Sequence, residues 1–209
     1  MQTISLLRKG GLEMTKDVRL SRLVTVEQYQ KYEDEKNRER IANFILERFT
    51  ERYITPLHGD SDRKHGFCTM AISCLMIEAL ESFWRGWPDT KGKSKKAFRS
   101  FFQRCLQQGL ELGVFAPSQL ADDFYTGVRC GILHQAETTN GWRIRRAGLL
   151  YDPDNKTINA TTFHLELEKA LIAYCDELKR SEWDAQIWQN LRTKMKSVIE
   201  NCEPRALEQ

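Results

Sequence analysis

Apolar residues recur at helical spacing along most of this chain, and clusters of Gly, Pro, Asn and Asp divide the stretches where they do. Thr25, with Gln28 three positions on, has the form of a capping box and opens a helical pattern running to about Tyr53. The first half of that pattern is mostly charged, alternating in sign over 33–40, and reads as a solvated face or a partner-facing one. Its second half carries Ile41, Phe44, Ile45, Phe49 and Tyr53 and needs burial. Residues 54–63, with Pro56 and Gly59, read as a loop, and residues 1–24 as a loosely ordered lead-in. Residues 66–84 are apolar on nearly every side, which predicts a central core helix; Glu78 and Glu81 argue against a membrane span. The pattern breaks over 86–93. It resumes as a helix over about 94–112, with Phe98, Phe101, Phe102, Leu106 and Leu110 as its buried stripe.

The next helix draws the most attention. Pro117 and Ser118 supply its start, Leu120, Phe124, Val128 and Ile132 its core-facing positions, and 138–141 (Thr-Thr-Asn-Gly) its stop, so it ends near Gln135. A β-like region follows at 142–145, 149–151 and 157–159, separated by Gly148 and by an Asp-Pro-Asp-Asn turn at 152–155, which predicts a small hairpin. Thr161 or Thr162 then caps a helix to about Arg180, and Ser181 begins a last one through Trp188, Leu191, Met195 and Ile199. The expected fold is mainly α: a bundle of about five to six helices with a β-hairpin insertion after the 118–135 helix. One domain is expected over 25–202, between the lead-in and a tail at 203–209.

Composition narrows this only slightly. With 209 residues and 41% hydrophobic positions the chain can bury a sizeable core. A net charge of +3 is too mild to announce nucleic acid by itself. The densest basic cluster is local, at Lys91, Lys93, Lys95, Lys96 and Arg99, where it is either a solvated basic loop or an anion-binding patch beside a helix N-terminus. Six cysteines are scattered without zinc-finger spacing, as expected of reduced thiols in a cytoplasmic protein. The apolar run at residues 4–7 is too short for a signal peptide or a membrane anchor, so no membrane association is expected.

Several residues have chemistry to offer. His58 and His65 flank Asp60 and Asp62, a weak metal set on a loop. Cys130 and His134 stand four apart without third and fourth ligands, and no metal or cofactor is expected. His164, near a helix start, reads as a surface or capping residue. Arg129 and His134 are the one Arg and His close together on a buried helix. On an ideal α-helix they stand about 140° apart around the axis and about 7.5 Å apart along it, bordering one groove without forming a tight pair. Gly127 and Gly131 make a bare patch beside them, open either to a partner helix or to the chain's own core. Alternatively, Arg129 pairs with Asp122, Asp123 or Glu137 while His134 bonds a helix-end carbonyl.

The run Arg129-Cys130-Gly131-Ile132-Leu133-His134, at the end of an amphipathic helix in an all-helical chain, resembles the Arg-x4-6-His signature of the HEPN superfamily (higher eukaryotes and prokaryotes nucleotide-binding). That resemblance implies a small helical bundle dimerising through its signature helices, and a metal-independent ribonuclease of a toxin or phage-defence type. It also implies an antitoxin or a nucleotidyltransferase-like partner; other members of the superfamily are inactive or only bind. Arg129 and His134 would then be catalytic, with Gln135, Asn140, Arg143 and Arg145 as substrate-binding positions and Gly127 and Gly131 in a homodimer interface. The chain departs from the pattern at Cys130, where active members often carry Asn, Asp or His. The implied substrate is RNA, because the attacking group is a 2′-hydroxyl that DNA lacks.

Overall fold

The computed structural model describes residues 16–58 and 65–202. In chain order the elements are α1 (Val26–Asp34), α2 (Arg38–Phe49), a π turn (Thr50–Ile54), a 3-10 turn (Thr55–Leu57), α3 (Gly66–Arg85), α4 (Ser94–Gln107) and a second 3-10 turn (Glu111–Phe115). Then come α5 (Ser118–Phe124), a π turn (Tyr125–Cys130), α6 (Gly131–Gln135), β1 (Arg143–Arg145), β2 (Tyr151–Asp152), β3 (Thr157–Asn159), α7 (Ala160–Arg180) and α8 (Gln186–Glu200). The fold is mainly α with a small β insertion, as the periodicity predicts. Its residues fall into two compact units, one of 16–51, 83–88 and 175–202 and the other of 52–82 and 89–174.

In the first unit the capping box forms as written, Thr25 accepting from the Gln28 amide and the Gln28 side chain accepting from the Thr25 amide. The single long helix expected from there does not. It breaks at Lys36, which takes a left-handed φ of 49°, and Asn37 restarts the chain by accepting from the Arg40 amide. The charged stretch lacks the apolar contacts that would hold a helix through it, and Asn is a strong N-cap. Nor is α1 only a solvated face, since Val26 and Tyr29 are buried and the Tyr29 ring lies 5.6 Å from Phe44. Within the expected lead-in, residues 16–24 are ordered: Leu20 and Val24 are buried, and the amides of Arg22 and Leu23 donate to Glu51 and Glu47. Ser181 does not begin the last helix. The chain turns over 182–185 first, and α8 buries Trp188, Leu191 and Met195, with Trp188 Nε1 donating to the Leu178 carbonyl at 3.0 Å.

The second unit is organised around aromatic rings. Phe102, Phe115, Phe124 and Phe163 are fully buried in mutual contact at 5.2–5.8 Å, and Phe98 and Trp142 extend the cluster. Such pairs add about 0.5–1.5 kcal/mol each beyond the area they bury. Helix α4 ends at Gln107 rather than running to 112, because Gly109 takes a positive φ and the 3-10 turn follows. The expected hairpin is present as β2–β3, with Asp152 Oδ1 accepting the amides of Asp154 and Asn155. Strand β1 is a correction to it. It pairs parallel to β3, which lies in the middle of the sheet, with Arg143 opposite Thr157. Trp142, buried against Phe124 and Tyr151, sets where β1 begins. The cap of α7 is Asn159 rather than a threonine, its Oδ1 accepting from the amides of Thr161 and Thr162.

Helix α3 is long and apolar enough to cross a membrane, yet 67% of its apolar window is buried inside the protein. That burial makes it a core helix of the fold. Its Glu81 is fully buried in a two-pronged ion pair with Arg104, at 2.6 and 3.1 Å.

Candidate functional site

The helix carrying Arg129 and His134 runs without interruption from Ser118 to Gln135 but changes its winding in the middle. Tyr125–Cys130 forms a π turn, whose i→i+5 bonds admit an extra residue per turn. Arg129 stands near the end of that turn and His134 in the α-helical turn that follows, and the long Arg129 side chain spans the distance, so that its Nη1 lies 3.4 Å from His134 Nε2. A guanidinium has no lone pair, so this contact needs Nε2 unprotonated and the ring proton on Nδ1. His134 is exposed in the last turn of α6, before Ala136 closes the helix in a left-handed conformation with φ 57°.

What fixes Arg129 comes from elsewhere in the sequence. Its Nε donates to Glu78 Oε1 at 2.8 Å, and the pair is largely buried, with 16% and 10% of the two side chains exposed. The other oxygen of Glu78 accepts from Thr90 at 2.8 Å and from Ser94 at 2.7 Å. Each oxygen of a carboxylate standing in an apolar helix is thus satisfied, as burial of a charge demands. Burial works against the charge on Arg129, but Glu78 more than offsets it, and the guanidinium is held above its usual pKa. The same guanidinium lies 5.6 Å over the Tyr125 ring. Burial pushes the Tyr125 hydroxyl up, and its hydrogen bond with Cys130 adds to the shift. Cys130 is half-buried at this point, between Tyr125 and Arg129.

The ion-pair alternatives for Arg129 are not realised, because their acids are engaged otherwise. Asp122 takes Arg99 in a bidentate pair and Lys95 at 3.0 Å, Asp123 takes Lys156 at 2.7 Å, and Glu137 caps the Thr138 amide. The Arg99 guanidinium holds the Asp122 carboxyl down at about 2, against a small opposing effect of burial, and Lys95 helps.

The glycine patch does not face a partner. A Cβ at Gly127 would lie 2.3 Å from Trp142 Cδ1, and one at Gly131 would lie 2.5 Å from the Glu137 carbonyl. Both glycines are buried under the chain's own 137–142 turn, whose Thr139 amide donates to the Gly127 carbonyl at 2.8 Å. An interface built on Gly127 and Gly131 is therefore corrected: they let the chain fold back on its own helix.

Of the other candidates, Gln135 follows His134 and is exposed, and Asn140 sits in the returning turn at φ 56°. Arg143 and Arg145 are exposed on one side of β1. Among the described residues none of these four hydrogen-bonds to Arg129 or His134. Asp60 and Asp62 of the weak metal set lie outside the described residues, and among those described no three metal-ligating side chains group together.

His164 is neither a surface nor a capping residue: it is 4% exposed, with Nδ1 3.0 Å from the buried Ser73 hydroxyl. Burial pushes its pKa down to about 4; the nearby His58 adds to the shift and the Ile54 carbonyl opposes it. The free thiols Cys74, Cys105 and Cys175 are buried, and burial lifts the latter two to about 12.

The residue that pattern reading missed is Glu78. Its signal was present, because a buried carboxylate on an apolar helix needs a cation, and Arg129 is the cation it meets. No family model, curated protein or solved structure matches this chain.

Proposed function

We propose that this protein is a metal-independent endoribonuclease of HEPN type, acting in the cytoplasm on single-stranded RNA as a homodimer. The observation that carries the reading is the 3.4 Å approach of Arg129 to His134 at the protein surface, with Arg129 aimed by the buried Glu78. An imidazole can both take and give a proton, and a guanidinium suits the charge that builds on a phosphoryl group.

In the step proposed, His134 takes the proton of a substrate 2′-hydroxyl as that oxygen attacks the adjacent phosphorus. The bond from phosphorus to the 5′-oxygen breaks, and that oxygen leaves with a proton delivered by the imidazolium. With Nε spent on Glu78, Arg129 turns its Nη N–H groups from His134 Nε2 to the non-bridging oxygens as substrate enters, which frees the Nε2 lone pair to take the 2′-hydroxyl proton. The products are a 2′,3′-cyclic phosphate and a 5′-hydroxyl. Glu78 is a positioning residue, and Thr90 and Ser94 position Glu78 in turn.

A toxin or phage-defence role with an antitoxin or nucleotidyltransferase-like partner is part of the same proposal and rests on the signature alone. The dimer no longer rests on the glycines. Exposed Leu133, beside His134 in sequence, is the apolar residue of α6 left for a second copy. Sedimentation at micromolar concentration tests this, and a monomer there excludes a composite site.

One observation favours the second reading, a silent module that binds a partner protein or nucleotide. The Glu78 carboxylate neutralises the guanidinium on one edge, beside Cys130, which stands where active members of the superfamily it resembles often carry Asn, Asp or His. Incubating the wild-type protein and His134→Ala with a panel of single-stranded RNAs separates the two: cleavage by the first and not the second supports the enzyme.

A further inference from the structure

The basic cluster at 91–99 is tied to the Arg129 site by the fold. Thr90 and Ser94 both donate to Glu78 Oε2, while Arg129 donates to Oε1 of the same carboxylate. The turn that carries Lys91 and Lys93 is therefore clamped one carboxyl group away from the guanidinium. That turn is tight, the Lys93 amide donating to the Thr90 carbonyl at 2.8 Å, and its tip residue Gly92 has φ 69° with open space around it. It leads into α4, a helix of 14 residues whose N-terminus no side chain caps. Lys91, Lys95 and Lys96 are exposed. Asp122 pairs with Lys95 and Arg99, and Asp89 accepts from the Lys91 amide, which leaves the Lys91 ammonium outside both contacts.

We propose that the segment 90–96 is a phosphate-binding subsite for a single-stranded polynucleotide, holding the strand on one side of the Arg129–His134 pair. The inference rests on the ribonuclease reading for its substrate but not for its chemistry. Charge here meets a strand through its phosphates, so the subsite takes RNA and DNA alike, and only RNA offers the 2′-hydroxyl for cleavage. The ammonium groups and the uncapped helix N-terminus both favour the same anion. The polar anchors Thr90 and Ser94 keep the lysines in register with Glu78, and so with Arg129.

The experiment uses the full chain and a short fluorescent single-stranded DNA, which the proposed chemistry cannot cut. Anisotropy titrations over a range of salt give the slope of log K against log salt, in which each phosphate neutralised on a single strand counts for about 0.7. For Lys91→Gln/Lys95→Gln the expected result is weaker binding and a slope shallower by about 0.7 per lysine in contact. Asp122 keeps its bidentate Arg99 in that variant, and circular dichroism checks that the fold is retained. Lys31→Gln/Lys196→Gln, which removes two exposed lysines elsewhere in the chain, controls for net charge and should leave the slope unchanged. An unchanged slope in the folded double variant overturns the proposal, and so does a wild-type protein that does not bind DNA. If DNA binds through these lysines and RNA is not cut, the subsite stands and the ribonuclease reading fails.

Discussion

Arg129 and Glu78, 51 positions apart, are joined by a 2.8 Å hydrogen bond from the guanidinium Nε to a largely buried carboxylate. This contact ties the helical stretch from Ser118 to Gln135 to the core helix α3. Losing one partner leaves the other buried without compensation, so Glu78→Ala and Arg129→Ala should each destabilise the protein, by about 3–5 kcal/mol if the survivor stays buried. A double-mutant cycle in urea should return a coupling of about 0.5–3 kcal/mol. Additive single losses would show that the pair does not position Arg129.

Gly127 and Gly131 should tolerate no side chain. A methyl at either position meets Trp142 or the Glu137 carbonyl, so Gly127→Ala and Gly131→Ala should cost about 1–3 kcal/mol. Thermal melting reads the loss. Sedimentation should show the association state unchanged, because both faces are already occupied by the chain's own turn. A change of association state with unchanged stability would return the glycines to an interface.

His164 gives the protein an acid-sensitive stability. Its pKa is about 4 in the folded chain against about 6.5 unfolded, so between those values the unfolded state binds more protons and stability rises with pH. As pH falls from about 6.5 to about 4 the stability it confers is lost, on the order of 3 kcal/mol in all. Urea midpoints at pH 7 and pH 4.5 should differ for the wild type and differ less for His164→Gln. Parallel pH dependence in the two proteins would mean another group is responsible.

Much of this fold was written in the spacing of apolar residues. The buried Phe98, Phe101 and Phe102 of α4, the apolar α3, the capping box at Thr25 and the Asp152 turn follow from local patterning; Leu106, expected in the same stripe, is exposed, and Leu110 lies past the end of α4. The misreadings share a cause. Lys36 breaks a charged stretch where no packing enforces a helix, and a heptad-scale pattern does not register that lack. The parallel pairing of β1 depends on where Trp142 is buried, a contact made across the fold. For Gly127 and Gly131 the spacing did not choose between a partner helix and the chain's own core, and the 137–142 turn that covers them decides it. In the candidate site, Arg129 and His134 were legible as residue types at a spacing. Their approach was not, because ideal α geometry sets their backbones apart and the contact depends on the reach of an Arg129 side chain held by Glu78, 51 positions away.

The most direct test is cleavage itself. Wild-type protein in EDTA should cut single-stranded RNA to products ending in a 2′,3′-cyclic phosphate or its hydrolysed form, and His134→Ala should lower the rate by about 10²–10⁴-fold with fold and melting temperature retained. Wild-type protein inert towards every RNA offered, together with His134→Ala melting several degrees lower, would contradict the account and leave His134 a structural helix-end histidine.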